Sequence, residues 1–66
     1  MRVISFHTFF GEAVTFTANT PVLMFEEGYP ASERRNIVRL QGRDFIVTDE
    51  EWDALLDRLA DHEREG

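Results

Sequence analysis

The sequence predicts an α+β fold, an antiparallel sheet of four to five strands with one C-terminal helix packed on one face. Between residues 2 and 47, short β-branched and aromatic segments alternate with turn residues, which is typical of consecutive antiparallel strands. Beyond residue 48 the apolar residues recur at helical spacing and form one stripe. A chain of 66 residues has room for one domain, which we assign to residues 1–66.

The first two predicted strands form a hairpin. Residues 2–10 are β-branched and aromatic, and alternate side chains of a strand share a face. One face therefore carries Ile4, Phe6, Thr8 and Phe10. Gly11 indicates a turn, and residues 13–18 then alternate between apolar and polar side chains, as a second strand should.

Three further strands are predicted at residues 22–25, 37–41 and 44–47. The loop between the first two of these contains Gly28 and Pro30, residues that interrupt regular structure. The last two strands are close enough to form a hairpin around Gly42. We expect Gly42 to adopt a positive φ there, because tight hairpin turns require one.

The predicted helix begins at a capping box. The Thr48 hydroxyl can accept a hydrogen bond from the N–H of Glu51, whose carboxylate can reach back. The helix should run from about Asp49 to Glu63. Its apolar stripe, which we expect to bury against the sheet, comprises Trp52, Leu55, Leu56, Leu59 and Ala60.

Several strands carry apolar residues on both faces, whereas one helix covers only one face of a sheet. The uncovered face can close into a small curled β-barrel capped by the helix, meet a second copy, or meet a different protein. A two-fold dimer needs no sharp strand bending, and it adds core volume to a small chain. We therefore expect a homodimer that associates through the sheet face or edge away from the helix, with the barrel as the alternative.

The charge of the chain is unevenly distributed. The net charge is −6, yet residues 1–43 hold four acids and five arginines, while residues 44–66 hold nine acids and two arginines. The absence of cysteine excludes disulfides and thiolate catalysis. No apolar run is long enough for a membrane span and no signal peptide is visible, so we expect a cytoplasmic protein without membrane contact.

Catalytic and metal-binding patterns are missing from the sequence. It contains no G-x-S-x-G, P-loop or Gly-rich dinucleotide turn. Its two histidines, His7 and His62, fall short of the three or more ligands that a zinc site needs at recognisable spacing. We therefore expect a non-enzymatic protein with no catalytic residues, no cofactor and no metal.

Two charged groups are candidate interaction surfaces. The first comprises four arginines on the fourth predicted strand and its turns: Arg34, Arg35, Arg39 and Arg43. Arginine binds phosphates and carboxylates bidentately, although a solvated strand face paired with the C-terminal acids explains the same pattern. An aromatic platform beside the arginines would favour single-stranded nucleic acid, but aromatic residues in strands are more often part of the core. The residues in question are Phe9, Phe10, Phe25 and Tyr29.

The second group is a row of helix acids: Glu50, Asp53, Asp57 and Asp61. Like charges four residues apart weaken a helix, so the row is either used to engage a basic partner or is a solvated face.

The leading hypothesis is a small acidic protein-interaction module that binds another protein, in the manner of regulators and inhibitors of the phage and plasmid accessory type. The alternative is a small β protein that binds nucleic acid through the four arginines, which a net charge of −6 opposes. The sequence leaves open which charged surface binds and what the partner is.

Overall fold

The chain turns sharply between its second and third strands, and this turn divides the strands into two antiparallel sheets. The computed structural model describes residues 2–65, with side chains described as far as Asp61. The elements are β1 (Val3–His7), β2 (Ala13–Thr17), β3 (Val22–Glu27), a 3-10 helix (Ala31–Glu33), β4 (Arg35–Leu40), β5 (Arg43–Val47) and α1 (Asp49–Glu65). The predicted α+β class with one C-terminal helix is confirmed.

The first sheet is the β1–β2 hairpin, in which Ile4 lies opposite Phe16 and Phe6 lies opposite Val14. The second sheet has the order β3–β4–β5, and all its pairings are antiparallel. Ile37 at its centre lies opposite both Phe25 and Ile46.

The prediction of four to five strands in one sheet is wrong, and so is its alternative of a closed barrel. After β2, the N–H of Thr20 bonds the carbonyl of Thr17, and Pro21, which has no N–H, follows. The ladder of the first sheet therefore ends there. Within the described chain, the backbone bond that joins the sheets runs from Phe9 N to Ile46 O at 2.7 Å, whereas a barrel needs a continuous ladder.

The core lies between the two sheets and the helix. Its buried members are Ile4, Phe6, Phe16, Val38, Leu40, Val47 and Leu55. Phe6 links the sheets, since its ring makes edge contacts with Phe16 at 6.2 Å and with Phe45 at 6.0 Å between centroids. Packing two sheets face to face thus buries apolar surface that the sequence suggested would need a symmetry mate.

The helix begins at Asp49 as predicted and continues to Glu65, two residues beyond the predicted end. The Thr48 hydroxyl accepts a hydrogen bond from Glu51 N at 3.2 Å, which confirms half of the capping box. The Glu51 carboxylate turns instead to β1. The predicted apolar stripe is only partly buried, because the helix packs mainly along β1: Leu55 is buried, Trp52 and Leu59 are half-buried, and Leu56 is 45% exposed.

Two helix side chains bind the backbone along the outer edge of β1. The Arg58 guanidinium donates to the carbonyl of Ser5 at 2.6 Å, and the Glu51 carboxylate accepts from the N–H of His7 at 2.8 Å. The β1–β2 register directs the backbone bonds of Ser5 and His7 away from β2. The helix therefore satisfies backbone groups that would otherwise form an open strand edge.

The predicted hairpin between β4 and β5 is confirmed. Gln41 and Gly42 form its two-residue turn with φ of 50° and 80°, as the sequence predicted for Gly42. In the described chain, α1 is neither long nor apolar enough to cross a membrane, and the same holds for the shorter 3-10 helix.

Candidate interaction surface

The predicted arginine row does not form one cationic face. Arg39 lies on β4 opposite Asp44, and its guanidinium donates to both carboxylate oxygens, at 2.6 Å from Nε and 3.1 Å from the terminal nitrogen. The same guanidinium lies 5.0 Å from the ring centroid of Phe25. These hydrogen bonds from Arg39 hold the pKa of the Asp44 carboxyl below its ordinary value, and those same bonds raise the pKa of Arg39.

Arg35 shares a face of β4 with Arg39, but the other two arginines lie elsewhere. Arg43 lies beyond the Gln41–Gly42 turn and pairs in register with Leu40, so it shares the inner face with Leu40 and stacks 5.1 Å from the ring centroid of Phe45. A continuous strand would have placed Arg43 beside Arg39, but the hairpin reverses the chain between them. Arg34 pairs with Glu26 at 3.2 Å.

The helix acids Glu50, Asp53, Asp57 and Asp61 are all exposed. Their spacing of three or four residues places them in one row along α1. The structure neither selects nor rejects this row as a binding surface, so its role stays a prediction.

Among the described residues, no group of three or more His, Asp or Glu side chains could hold a metal ion. The ring of His7 lies against Glu51, with 3.2 Å between Nδ1 and Oε1. The side chain of His62 lies outside the described residues.

The turn between β1 and β2 exposes two neighbouring phenylalanine side chains. We call it the Phe9–Phe10 turn. Phe9 and Phe10 are 62% and 80% exposed, and their rings make an edge contact at 5.4 Å between centroids. They were predicted to lie in a strand running to residue 10, but β1 ends at His7. Phe10 therefore does not share the core-facing row of Ile4 and Phe6.

Hydrogen bonds fix the shape of this turn. Gly11 N donates to the Thr8 carbonyl at 2.9 Å and Thr8 N donates to the Glu12 carbonyl at 2.8 Å. The Thr8 hydroxyl, in a residue only 8% exposed, also accepts from Glu12 N at 3.1 Å. With Gly11 at a φ of 85°, this is a three-residue hairpin loop closed by a left-handed residue. The turn thus exposes two phenylalanines on a backbone that is fixed by hydrogen bonds.

An open groove of about 780 Å³ begins at the Phe9–Phe10 turn. It is lined by the two phenylalanines, by residues 32–36 and by residues 46–49. The 3-10 helix and the start of β4 thus face the end of β5 and the start of α1. The groove brings aromatic, aliphatic and charged side chains together on one surface.

Four charged side chains line the groove, and two of them are already engaged. Arg34 pairs with Glu26, and the Asp49 carboxylate accepts a hydrogen bond from the Asn36 amide at 2.6 Å. Glu33 and Arg35 are both exposed, and neither side chain forms a hydrogen bond or ion pair with any described side chain. One acid and one arginine are therefore left to interact with a partner.

Of the predicted site residues, the groove brings together Arg34 and Arg35, while Arg39 and Arg43 lie elsewhere. The expectation that the aromatic residues belong to the core is wrong for Phe9, Phe10 and Tyr29, all of which are exposed, Tyr29 to 92%. Phe25 is partly buried beneath Arg39. The signal available in the sequence was Gly11, directly after the two phenylalanines, because a glycine in this position commonly closes a three-residue hairpin loop.

Comparison with known proteins adds no family to these observations. A scan of protein-family models finds no match, and searches of curated proteins and of solved structures find no similar chain.

Proposed function

We propose that this chain is a non-enzymatic protein-interaction module that binds through the Phe9–Phe10 turn and the adjoining groove. The observation that carries the proposal is the exposure of Phe9 and Phe10, 62% and 80%, on a turn held by hydrogen bonds. Aromatic residues are enriched at protein interfaces, where a few of them supply much of the binding energy. Exposing two at one point favours aggregation, a cost that a binding role would explain.

The rigidity of the turn supports this assignment. Three hydrogen bonds hold Thr8, Gly11 and Glu12, so the rings are presented on a backbone that loses little freedom on binding. The groove supplies apolar area beside the rings together with charged groups that can orient a partner. This combination of an apolar centre and a polar rim is typical of protein interfaces.

A photo-crosslinking amino acid tests the proposal directly. It replaces Phe10 in one variant and Tyr29 in a matched control, since Tyr29 is 92% exposed and does not line the groove. We expect ultraviolet irradiation in the source cells to give a protein adduct from position 10 and none from position 29. Adducts from neither position, or equally from both, would remove the support for this surface.

The nucleic-acid alternative keeps one supporting observation, because Phe9 and Phe10 line the same groove as Arg34 and Arg35. Against it, Arg34 is paired with Glu26, and Glu33 and Asp49 place two acids in the groove. Fluorescence anisotropy of a labelled single-stranded oligonucleotide separates the two functions. Binding that weakens steeply with salt and is lost in Arg35→Ala would favour nucleic acid over protein.

A further inference from the structure

We infer that the protein partner of the groove is a second copy of this chain, related to the first by a two-fold axis. The inference rests on the proposed binding role of the Phe9–Phe10 turn and goes further by naming the occupant. Three properties of the surface point to it: its shape, its unpaired charges and its local charge balance.

The surface carries both a projecting side chain and a groove that could receive it. Phe10 is the most exposed phenylalanine of the chain and also lines the groove, so the projection and the depression are neighbours on one surface. A two-fold axis beside them places the Phe10 ring of each copy in the groove of the other. Such a contact closes on itself, because the same patch serves both copies.

The unpaired charges of the groove are self-complementary. Glu33 and Arg35 have opposite signs and are both exposed, and neither forms a hydrogen bond or ion pair with a described side chain, although Glu27 lies opposite Arg35 in the β3–β4 register. Two-fold symmetry allows Arg35 of each copy to pair with Glu33 of the other. A partner carrying only acidic or only basic groups would satisfy one of these residues and face the other with a like charge.

The local charge balance permits contact between two acidic molecules. The chain has a net charge of −6, so two copies repel each other over most of their surfaces. The four charged residues that line the groove are two acids and two arginines, and they cancel: Glu33, Arg34, Arg35 and Asp49. Contact at the groove therefore brings no excess like charge together, whereas contact at α1 would oppose two acidic rows.

This places the dimer contact elsewhere than the sequence suggested. The sheet face or edge away from the helix was expected, but Ile37 at the centre of the outer face of the β3–β4–β5 sheet is only 4% exposed. Among the described residues of that face, Leu23 is the large apolar residue that remains exposed, at 53%. The adjacent exposed apolar residues are instead Phe9 and Phe10.

Two charge-reversed variants test the pairing in trans. Arg35→Glu places an extra acid in each groove and Glu33→Arg places an extra arginine there, so each variant should self-associate more weakly by at least about tenfold. An equimolar mixture should recover association. In the mixed dimer the carboxylate introduced at position 35 meets the guanidinium introduced at position 33, and the unchanged Glu33 of one variant meets the unchanged Arg35 of the other. Sedimentation equilibrium at micromolar concentration measures all three samples against the wild type.

Two further variants separate this contact from general effects. Phe10→Ser should also weaken self-association, whereas Tyr29→Ser should leave it unchanged. Asp57→Arg reverses a charge on the exposed face of α1 and should not weaken the dimer. Circular dichroism spectra matching the wild type establish that each variant is folded.

A wild-type species of 7.7 kDa throughout the micromolar range would overturn the dimer, and so would a mixture that fails to recover association. The crosslink from position 10 distinguishes this failure from failure of the proposed function. An adduct of twice the chain mass supports the dimer. An adduct of another mass rejects the dimer but retains the binding surface, and no adduct rejects both.

Discussion

Phe6 and Phe10 lie four residues apart, yet 1% of Phe6 is exposed against 80% of Phe10. We expect Phe6→Ala to lower the free energy of unfolding by about 3–5 kcal/mol, because it removes a ring that contacts both sheets. Phe10→Ala removes no buried contact, so its effect should stay within about 0.5 kcal/mol. Urea unfolding under conditions where the chain is monomeric measures both. Equal losses would contradict the assignment of Phe10 to a binding surface.

The pairing of Asp44 with Arg39 predicts a small dependence of stability on pH. Because the pair lowers the pKa of Asp44 in the folded chain, its contribution is present above the ordinary pKa of an aspartate and is lost as pH falls through the lowered value. We expect Asp44→Asn to be less stable than the wild type at neutral pH and to approach it in acid. Asp57→Asn is the control, and a deficit of Asp44→Asn that persists unchanged in acid would speak against the pair.

At the scale of elements, α1 packs against the rest of the molecule through a narrow stripe of side chains that includes Leu55 but not Leu56. Leu55→Ala empties a fully buried position and should cost about 2–5 kcal/mol of unfolding free energy. Leu56→Ala, at a position 45% exposed, should cost less than about 1 kcal/mol, although the sequence placed both leucines in the buried stripe. Thermal and urea unfolding of this pair checks which side of α1 faces the core. Similar losses would place both side chains in the core.

In the turn between β4 and β5, the cost of substituting Gly42 comes from its backbone conformation. A Cβ added at Gly42 would meet nothing within 4 Å, so any cost of substitution comes from its φ of 80°. We expect Gly42→Val to destabilise the chain by about 1–2 kcal/mol or more, since a left-handed conformation is unfavourable for residues with a Cβ. Gly42→Asn should cost less, because asparagine tolerates this region. A valine variant as stable as the asparagine variant would contradict the turn geometry.

The sequence allowed the helix and strands to be predicted better than the way in which they pair and pack. Thr48 and Glu51 located the start of α1, and Gly42 located the β4–β5 turn, because caps and turns depend on neighbouring residues. The division into two sheets was not predicted, since alternation shows which side chains share a face and not which strands pair. Leu56 was misplaced for a related reason, because helical spacing does not reveal how wide a surface the neighbouring strand offers.

The candidate surface was predicted in fragments. Arg34 and Arg35 were identified as interaction residues, and Phe9 and Phe10 were considered as an aromatic platform, but their common groove depends on the ends of β1, β4 and β5 meeting. This convergence arises from contacts between residues distant in sequence, including the bond from Phe9 to Ile46. Periodicity within a segment carries no information about such contacts.

At the scale of the whole molecule, the net charge of −6 predicts how salt affects self-association. Two exposed ion pairs contribute at most about 1 kcal/mol each, whereas repulsion between two copies reaches several kcal/mol at low ionic strength. Raising the salt concentration screens this repulsion more than it weakens the ion pairs, so the dimer should strengthen from about 20 mM to about 300 mM NaCl. Sedimentation equilibrium at both concentrations measures the change. Weakening with salt would mean that the charge pairs outweigh the overall repulsion.

The bonds from Glu51 and Arg58 to β1 also have a consequence for misfolding. They occupy the N–H of His7 and the carbonyl of Ser5, groups that another strand would use to extend the sheet. An exposed edge of this kind is a template for domain swapping and fibril growth. When α1 detaches, through heating or proteolysis, β1 becomes available to β-strands of other molecules. The acidic helix thus shields the edge of β1, and we expect its release to favour cross-β pairing between molecules.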